Sequence, residues 1–381
     1  MNCQWFLSHH CRSCELLDQS YENTLRSKEE KLKSLFPRVD LHEMKTIGLE
    51  HPAAESRNKA KLAVFTDTEG LIRFGFYDSA GSPRVLEECP LHMKELNNLL
   101  PVLKEKLAQY KIIPYSLNDK KGELKYVILS KSASHGEILL RFIVRSKESL
   151  DRLRIMTKIL QEEIPLIKVA TVNIQPEHKA VLEGDEEIVI TPESVIENKF
   201  GDIHLNLGPR SFFQVTPEIA GKLYQTAADL IEDYKIKSFL DLFCGVGAFS
   251  YFAAKHCPKV LGIEISKEAI DCALSSKGLN KIQGELDFKA LDVEEFLKSA
   301  KGVFEGILVN PPRRGLNNSI IESILSQKPK FIIYSSCNSE TLARDYEELK
   351  RDYKITRTQI FDMFPFTTHF ETLMVFSRKD F

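Results

Sequence analysis

Ser238-Phe239-Leu240-Asp241-Leu242-Phe243-Cys244-Gly245-Val246-Gly247 is the stretch on which the fold turns. A short apolar run closes in a glycine-rich turn, and a helical pattern follows. Reading onward, the same unit recurs. Val260–Ile265, Asp287–Ala290, Gly306–Val309 and Phe331–Tyr334 are further apolar runs. Helical stretches such as Glu268–Ser276 and Ser339–Lys350 separate the runs. Short strands alternating with helices predict a doubly wound parallel sheet with helices on both faces. Ile355–Phe361 and Glu371–Ser377 have only the loop Asp362–Phe370 between them. That loop is too short for a helical crossover, so this last pair is expected to run antiparallel. The expectation is a Rossmann-like α/β domain of seven strands over residues 206–381.

The preceding part, residues 1–205, reads differently. Lys61–Phe65, Ile72–Tyr77, Tyr126–Leu129, Glu137–Val144 and Lys168–Ile174 have strand patterns, while Leu91–Tyr110 and Lys147–Glu162 have helical ones. This mixture predicts an α+β domain on an antiparallel sheet.

Composition narrows the function. With 52 Lys plus Arg against 54 Asp plus Glu, the net charge of −2 excludes a uniformly basic nucleic-acid coat. It does not exclude a local basic face. Residues 101–154 hold 12 basic and 6 acidic side chains, and Arg57-Asn58-Lys59-Ala60-Lys61 adds a second basic cluster. No run approaches the roughly 18 to 20 apolar residues that span a bilayer, and the N-terminus lacks a secretory pattern. A soluble cytoplasmic protein is expected.

In open α/β sheets, ligands bind beyond the carboxyl ends of the strands. The Gly245-Val246-Gly247 turn lets backbone approach a ligand closely. Glu264 stands 19 residues after Gly245, at the end of the next strand, where a carboxylate accepts both hydroxyls of a ribose. A dinucleotide calls for a third glycine near position 250, and this chain has Ser250. S-adenosylmethionine needs no pyrophosphate cradle and suits the turn better. A dinucleotide-dependent oxidoreductase is the rival reading.

Asn310-Pro311-Pro312-Arg313-Arg314-Gly315 follows the fourth strand. Amino-group methyltransferases place an aromatic after such a turn. Arg313 argues against that activity. Ser335-Ser336-Cys337-Asn338 ends the next strand and sets a thiol at the same carboxyl edge, where a thiolate is a strong carbon nucleophile. Glu371, opening the last strand, is the candidate base.

Asp-Leu-Phe-Cys-Gly at 241–245, Asn-Pro-Pro-Arg-Arg-Gly at 310–315, Ser-Ser-Cys-Asn at 335–338 and His-Phe-Glu at 369–371 resemble the RNA 5-methyluridine methyltransferase family. Phe212-Phe213-Gln214 resembles it too, and the likeness runs from Cys3 to Glu371. The resemblance implies that Gln214, Phe243, Glu264 and Asn310 contact S-adenosylmethionine. It implies Cys337 as the nucleophile at carbon 6 of uracil and Glu371 as the acceptor of the carbon 5 proton. Two positions depart from the common pattern. Asn310 stands where most members have Asp, and Thr216 where many have Asn. Asn310 resembles the subgroup that acts on uracil 747 of bacterial 23S rRNA. A uridine must leave its stack to reach such a site, so a loop or single-stranded segment is the expected substrate. A transfer-RNA uridine-C5 methyltransferase and a non-catalytic RNA-binding assembly factor are the alternatives.

Eight cysteines are unevenly spread. Cys3, Cys11 and Cys14 are separated by seven and two residues, and Cys89 precedes Pro90. Four such thiols suit a tetrahedral zinc or an iron–sulfur cube, or stand unligated. The family resemblance implies a [4Fe–4S] cluster on this set. With the cysteine set at the start of the sequence, the RNA-binding barrel that some members add is not expected. A monomer is expected.

Overall fold

The computed structural model describes residues 1–41, 44–51, 54–177, 182–300 and 304–381. By contacts the chain forms two units. One comprises Met1–Arg12, Ala53–Lys199 and Leu207–Pro209, the other Ser13–Pro52, Phe200–Asn206 and Arg210–Phe381.

The second unit is built on an eight-stranded sheet. Its order is Lys45–Ile47, Tyr353–Phe361, Glu371–Arg378, Phe331–Ser336, Gly306–Val309, Phe239–Leu242, Lys259–Glu264 and Glu285–Ala290. All seven expected strands are present. The eighth, Lys45–Ile47, pairs parallel with Gln359–Phe361. Three residues carry no readable period, so the expected seven-stranded sheet is corrected to eight. The five strands from Phe331–Ser336 to the edge strand Glu285–Ala290 are parallel. Glu371–Arg378 runs antiparallel to both its neighbours, as its short connection demands.

Strand order reverses between Phe239–Leu242 and Gly306–Val309, which lie side by side with Leu242 opposite Val309. The chain winds outward from the first to Glu285–Ala290, then returns to the second. Such a switch point leaves a crevice at the carboxyl ends of the strands. The core beneath is apolar and includes Leu240, Leu242, Ile307, Val309, Ile332 and Tyr334. From Ser13–Pro52, the helix Tyr21–Leu35 joins this core through Leu32. Phe36, just past its end, sets its ring 5.6 Å from that of Tyr346 on the helix Ser339–Leu349.

The first unit carries a seven-stranded sheet whose order is Pro83–Val85, Ile72–Tyr77, Lys59–Thr66, Leu124–Lys131, Ile138–Val144, Ile167–Ile174 and Glu186–Val189. The expected antiparallel sheet is mixed. Ile138–Val144 and Ile167–Ile174 run parallel because the helix Leu150–Glu163 carries the chain back between them. That helix and Lys94–Gln109 cover one face, burying Leu96, Leu103, Leu153 and Leu160. Much of the basic stretch 101–154 is paired within this unit. Arg141 is buried between Glu187 at 2.6 Å and Glu183 at 2.9 Å. Lys106 meets Glu163, Arg145 meets Glu123, and Lys125 donates to the Gln175 carbonyl. These contacts engage the four cations with carboxylates and carbonyls of their own unit.

Candidate active site

Four strand ends of the second unit build the site. The first is the turn after Phe239–Leu242. Phe243, Gly245 and Gly247 all have left-handed backbone, with φ of +62°, +54° and +84°. A Cβ on Gly247 would lie 2.6 Å from the Phe288 ring, so packing as well as φ requires glycine there. A Cβ on Gly245 would meet nothing within 4 Å, so open space lies over the turn. Glu264 ends the next strand and closes on this turn. Its Oε2 accepts from the Gly245 N–H at 3.2 Å and its Oε1 from the Ser266 N–H at 2.9 Å. The spacing in the sequence thus becomes a direct contact between carboxylate and glycine loop. Ile265, the next residue, is 69% exposed, an apolar side chain beside the acidic one.

Sequence marks Asp241 only as part of a motif. It is fully buried, and Ser250 Oγ donates to its Oδ2 at 2.6 Å. Its Oδ1 is buried with no hydrogen-bond partner among the described residues. Burial raises this carboxyl to about 7, against the pull of Ser250. The available signal is a carboxylate inside an otherwise apolar strand.

The second element is the turn at Asn310. Its N–H donates to the Leu242 carbonyl at 3.3 Å, tying it to the strand that leads into the glycine turn. The chain then turns through Pro311 and Pro312 to Gly315. Buried Asp345 holds the exit by accepting from the Leu316 N–H at 2.8 Å and the Tyr334 hydroxyl at 2.7 Å. Gln214 is buried on the segment before the helix Pro217–Asp233. Thr216 is also buried, and its hydroxyl donates to the Met363 carbonyl at 2.8 Å. It therefore ties this segment to the loop preceding Glu371.

Cys337 follows the strand Phe331–Ser336 and is half-buried. Asn338 caps the next helix through its Oδ1 and donates from Nδ2 to the Arg313 carbonyl at 2.9 Å. Arg313 is thereby held beside the thiol. Burial pushes the Cys337 thiol up, and the nearby Glu371 pushes in the same direction. The positive charge of the nearby Arg313 guanidinium opposes both. In sequence Arg313 argues only against an aromatic clamp, and its contact with Cys337 has no sequence signal. A cavity of about 130 Å³ opens here, lined by Lys31, Arg313, Cys337, Asn338, Thr368 and His369 among others.

Glu371 opens the neighbouring antiparallel strand, where Ser336 pairs with Thr372. It is 1% exposed, and burial raises its carboxyl to about 7. The structure thus brings Cys337 and Glu371 to adjacent strand ends. The loop between Phe361 and Glu371 is anchored from the segment Ser13–Pro52. Lys28 and Asp362 form a fully buried ion pair. The Tyr21 hydroxyl donates to Asp362 at 2.6 Å, and the Leu16 N–H donates to the Phe366 carbonyl at 3.0 Å.

The N-terminal cysteines are distributed between the units, with Cys3, Cys11 and Cys89 in the first and Cys14 in the second. All four are half-buried and none is in a disulfide. Burial raises the Cys89 thiol and Cys11 adds to this, while backbone hydrogen bonds from Leu91 and His92 oppose it. An all-thiol donor set with backbone N–H support suits a soft metal or cluster. Among the described residues, however, no three Cys, His, Asp or Glu side chains gather into a metal-holding group. The donor chemistry fits a cluster and the observed geometry does not assemble one. The three other cysteines, Cys244, Cys257 and Cys272, are buried. No helix among the described residues is long and apolar enough to cross a membrane.

The chain is 40% identical over 376 residues to a Xenorhabdus nematophila protein named 23S rRNA (uracil(747)-C(5))-methyltransferase RlmC, covering 98% of each chain. It is 39% identical over 382 residues to the Escherichia coli protein of the same name, covering 100% of each. Among solved structures it resembles the Pyrococcus abyssi tRNA (uracil-54, C5)-methyltransferase in complex with S-adenosyl-L-homocysteine. The TM-score is 0.78 at 25% identity, over 95% of this chain and 85% of that one. The sequence model of the tRNA (uracil-5-)-methyltransferase family matches residues 20–379. This chain belongs to that family.

Proposed function

We propose that this protein transfers a methyl group from S-adenosylmethionine to carbon 5 of a uridine in 23S rRNA, with uracil 747, named for its relatives, as the target. The observation that carries the reading is the pairing of a half-buried thiol, Cys337, with a buried carboxylate, Glu371, at adjacent strand ends. A pure RNA-binding factor needs neither group.

S-adenosylmethionine, when bound, supplies a methyl group on a sulfonium. Glu264 and Phe243 at the glycine turn, Asn310 across the switch point and Gln214 are the residues proposed to hold it. The Cys337 thiolate adds to carbon 6 of uracil, and the resulting enolate makes carbon 5 nucleophilic. Carbon 5 takes the methyl group, and S-adenosylhomocysteine leaves. Glu371 then accepts the carbon 5 proton, the carbon 6–sulfur bond breaks, and the thiolate is restored. A carboxyl raised to about 7 suits this role, because its two protonation states are both accessible near neutral pH.

Substrate binding is assigned to residues 1–205 and catalysis to 206–381, with Ser13–Pro52 folded into the catalytic unit. Cys3, Cys11, Cys14 and Cys89 are proposed to hold a [4Fe–4S] cluster in the assembled protein. The donor chemistry at Cys89 supports this. Iron and sulfide analysis after anaerobic purification tests it; metal-free protein with full activity overturns it. The protein is taken to act as a cytoplasmic monomer on a loop or single-stranded uridine.

The deciding experiment is labelled methyl transfer to undermethylated 23S rRNA, with the modified base mapped. Label at carbon 5 of uracil 747 is expected. Label only on a transfer-RNA transcript would instead favour the activity of the Pyrococcus abyssi relative.

A further inference from the structure

The cavity at Cys337 is small. At about 130 Å³ it falls well below the roughly 300 Å³ at which ligand pockets begin. It has room for a single base, so the ribose and phosphates of an extruded nucleotide must stay at its mouth. A phosphate there needs a cation. Two reach the cavity, Arg313 and Lys31. Arg313 stands on the Cys337 side of the cavity, tied by its carbonyl to Asn338 at 2.9 Å. Lys31 is 37% exposed, and its Nζ lies 3.4 Å from Oε1 of Glu340, itself 67% exposed.

An exposed pair of this kind is weak in water, so a stronger acceptor displaces Glu340 readily. Lys31 is mounted on a helix whose neighbouring positions are buried. On the helix Tyr21–Leu35, Lys28 one turn before it is buried against Asp362, and Leu32 beside it is buried in the core. These two neighbours fix the backbone of Lys31 while its ammonium stays free to reach solvent. The segment Ser13–Pro52 therefore supplies a cation to a cavity whose other walls come from distant parts of the chain.

We propose that Lys31 is the phosphate contact for the extruded nucleotide, with Glu340 holding its place until RNA arrives. The ligand is a phosphodiester flanking the target uridine. This rests on the functional reading above.

The test uses the full-length holoprotein and an RNA hairpin carrying the target uridine. In Lys31→Ala, the KM for RNA is expected to rise about tenfold, with the loss falling on KM far more than on kcat. The slope of log K against log salt should fall by about 1. Lys31→Arg should restore the slope, and Glu340→Gln should lower KM by removing the competing carboxylate. A methylphosphonate at the contacted phosphate should erase the difference between wild type and Lys31→Ala. Unchanged KM and salt slope in Lys31→Ala, beside an active wild type, would overturn the phosphate assignment alone. So would a Lys31→Ala protein that loses thermal stability while its salt slope matches wild type. A wild type that neither binds nor methylates RNA takes down the functional reading as well.

Discussion

The Ser335 hydroxyl donates to Oε1 of Glu371 at 2.6 Å, with both residues buried. The donor comes from the strand that Cys337 follows, and the acceptor opens the strand beside it. Nucleophile and base are thus linked through one hydroxyl two residues upstream of the thiol. The hydrogen bond favours the carboxylate, against the burial that raises Glu371 to about 7. The rate of proton removal should therefore rise with pH through about 7. Ser335→Ala removes a contact that favours the charged form, so the acid limb should move to higher pH. The decay of a preformed RNA adduct, followed against pH, checks both.

The same shift has a stability consequence. Glu371 has a higher pKa folded than its ordinary value of 4.5. Its contribution to stability is complete below about 4.5 and is lost as pH rises to about 7. Glu371→Gln should gain stability over wild type at pH 8 and gain little at pH 4. Denaturant midpoints at the two pH values read this, and an equal difference at both would contradict it. In turnover, Glu371→Gln should be slower by roughly 10²–10⁴-fold and leave a covalent RNA adduct stable to denaturation. Cys337→Ala should form no adduct and retain donor binding.

Arg313 lines the same cavity as Cys337, and its positive charge favours the thiolate. Arg313→Met should raise the thiol pKa further. The pH midpoint for alkylation of Cys337 by iodoacetamide is the direct measurement, and an unmoved midpoint would remove Arg313 from thiolate stabilisation.

Gly245 and Gly247 separate ligand space from packing. Gly247→Ala combines a left-handed backbone with a 2.6 Å approach to Phe288, and should cost about 2–4 kcal/mol. Gly245→Ala projects into open space. It should cost about 1–2 kcal/mol for the backbone alone, yet weaken donor binding more strongly than Gly247→Ala does in the folded fraction. Chemical unfolding and calorimetric titration with S-adenosylhomocysteine distinguish the two.

Lys28 and Asp362 are a fully buried pair. Lys28→Met leaves Asp362 charged, buried and short of a partner, and should cost about 3–5 kcal/mol. Adding Asp362→Asn should recover part of that loss, because no buried charge then remains unpaired. Thermal unfolding of the single and double variants reads the difference.

The seven strands Phe239–Leu242 to Glu371–Arg378 are legible because each is an apolar or alternating run bounded by a turn or a helical period. The close approach of Glu264 to Gly245 is legible for the same reason, since a fixed strand–helix–strand length carries one turn to the next strand end. Lys45–Ile47 is not legible, because three residues hold no period. Nor is the parallel pairing inside the first sheet, which depends on where the helix Leu150–Glu163 returns the chain. What the sequence alone determined is the order of strands and the chemistry at their ends: glycines, Glu264, Asn310, Cys337 and Glu371. Only the tertiary structure decided what surrounds them. Ser335 reaches Glu371, Arg313 reaches Cys337, and Lys31 enters the cavity across hundreds of residues of chain. No local pattern encodes these contacts, because they arise from packing the sheet, its loops and the segment Ser13–Pro52 into one core. That packing also raises Glu371 to about 7, since burial is a property of the folded neighbourhood and not of the residue.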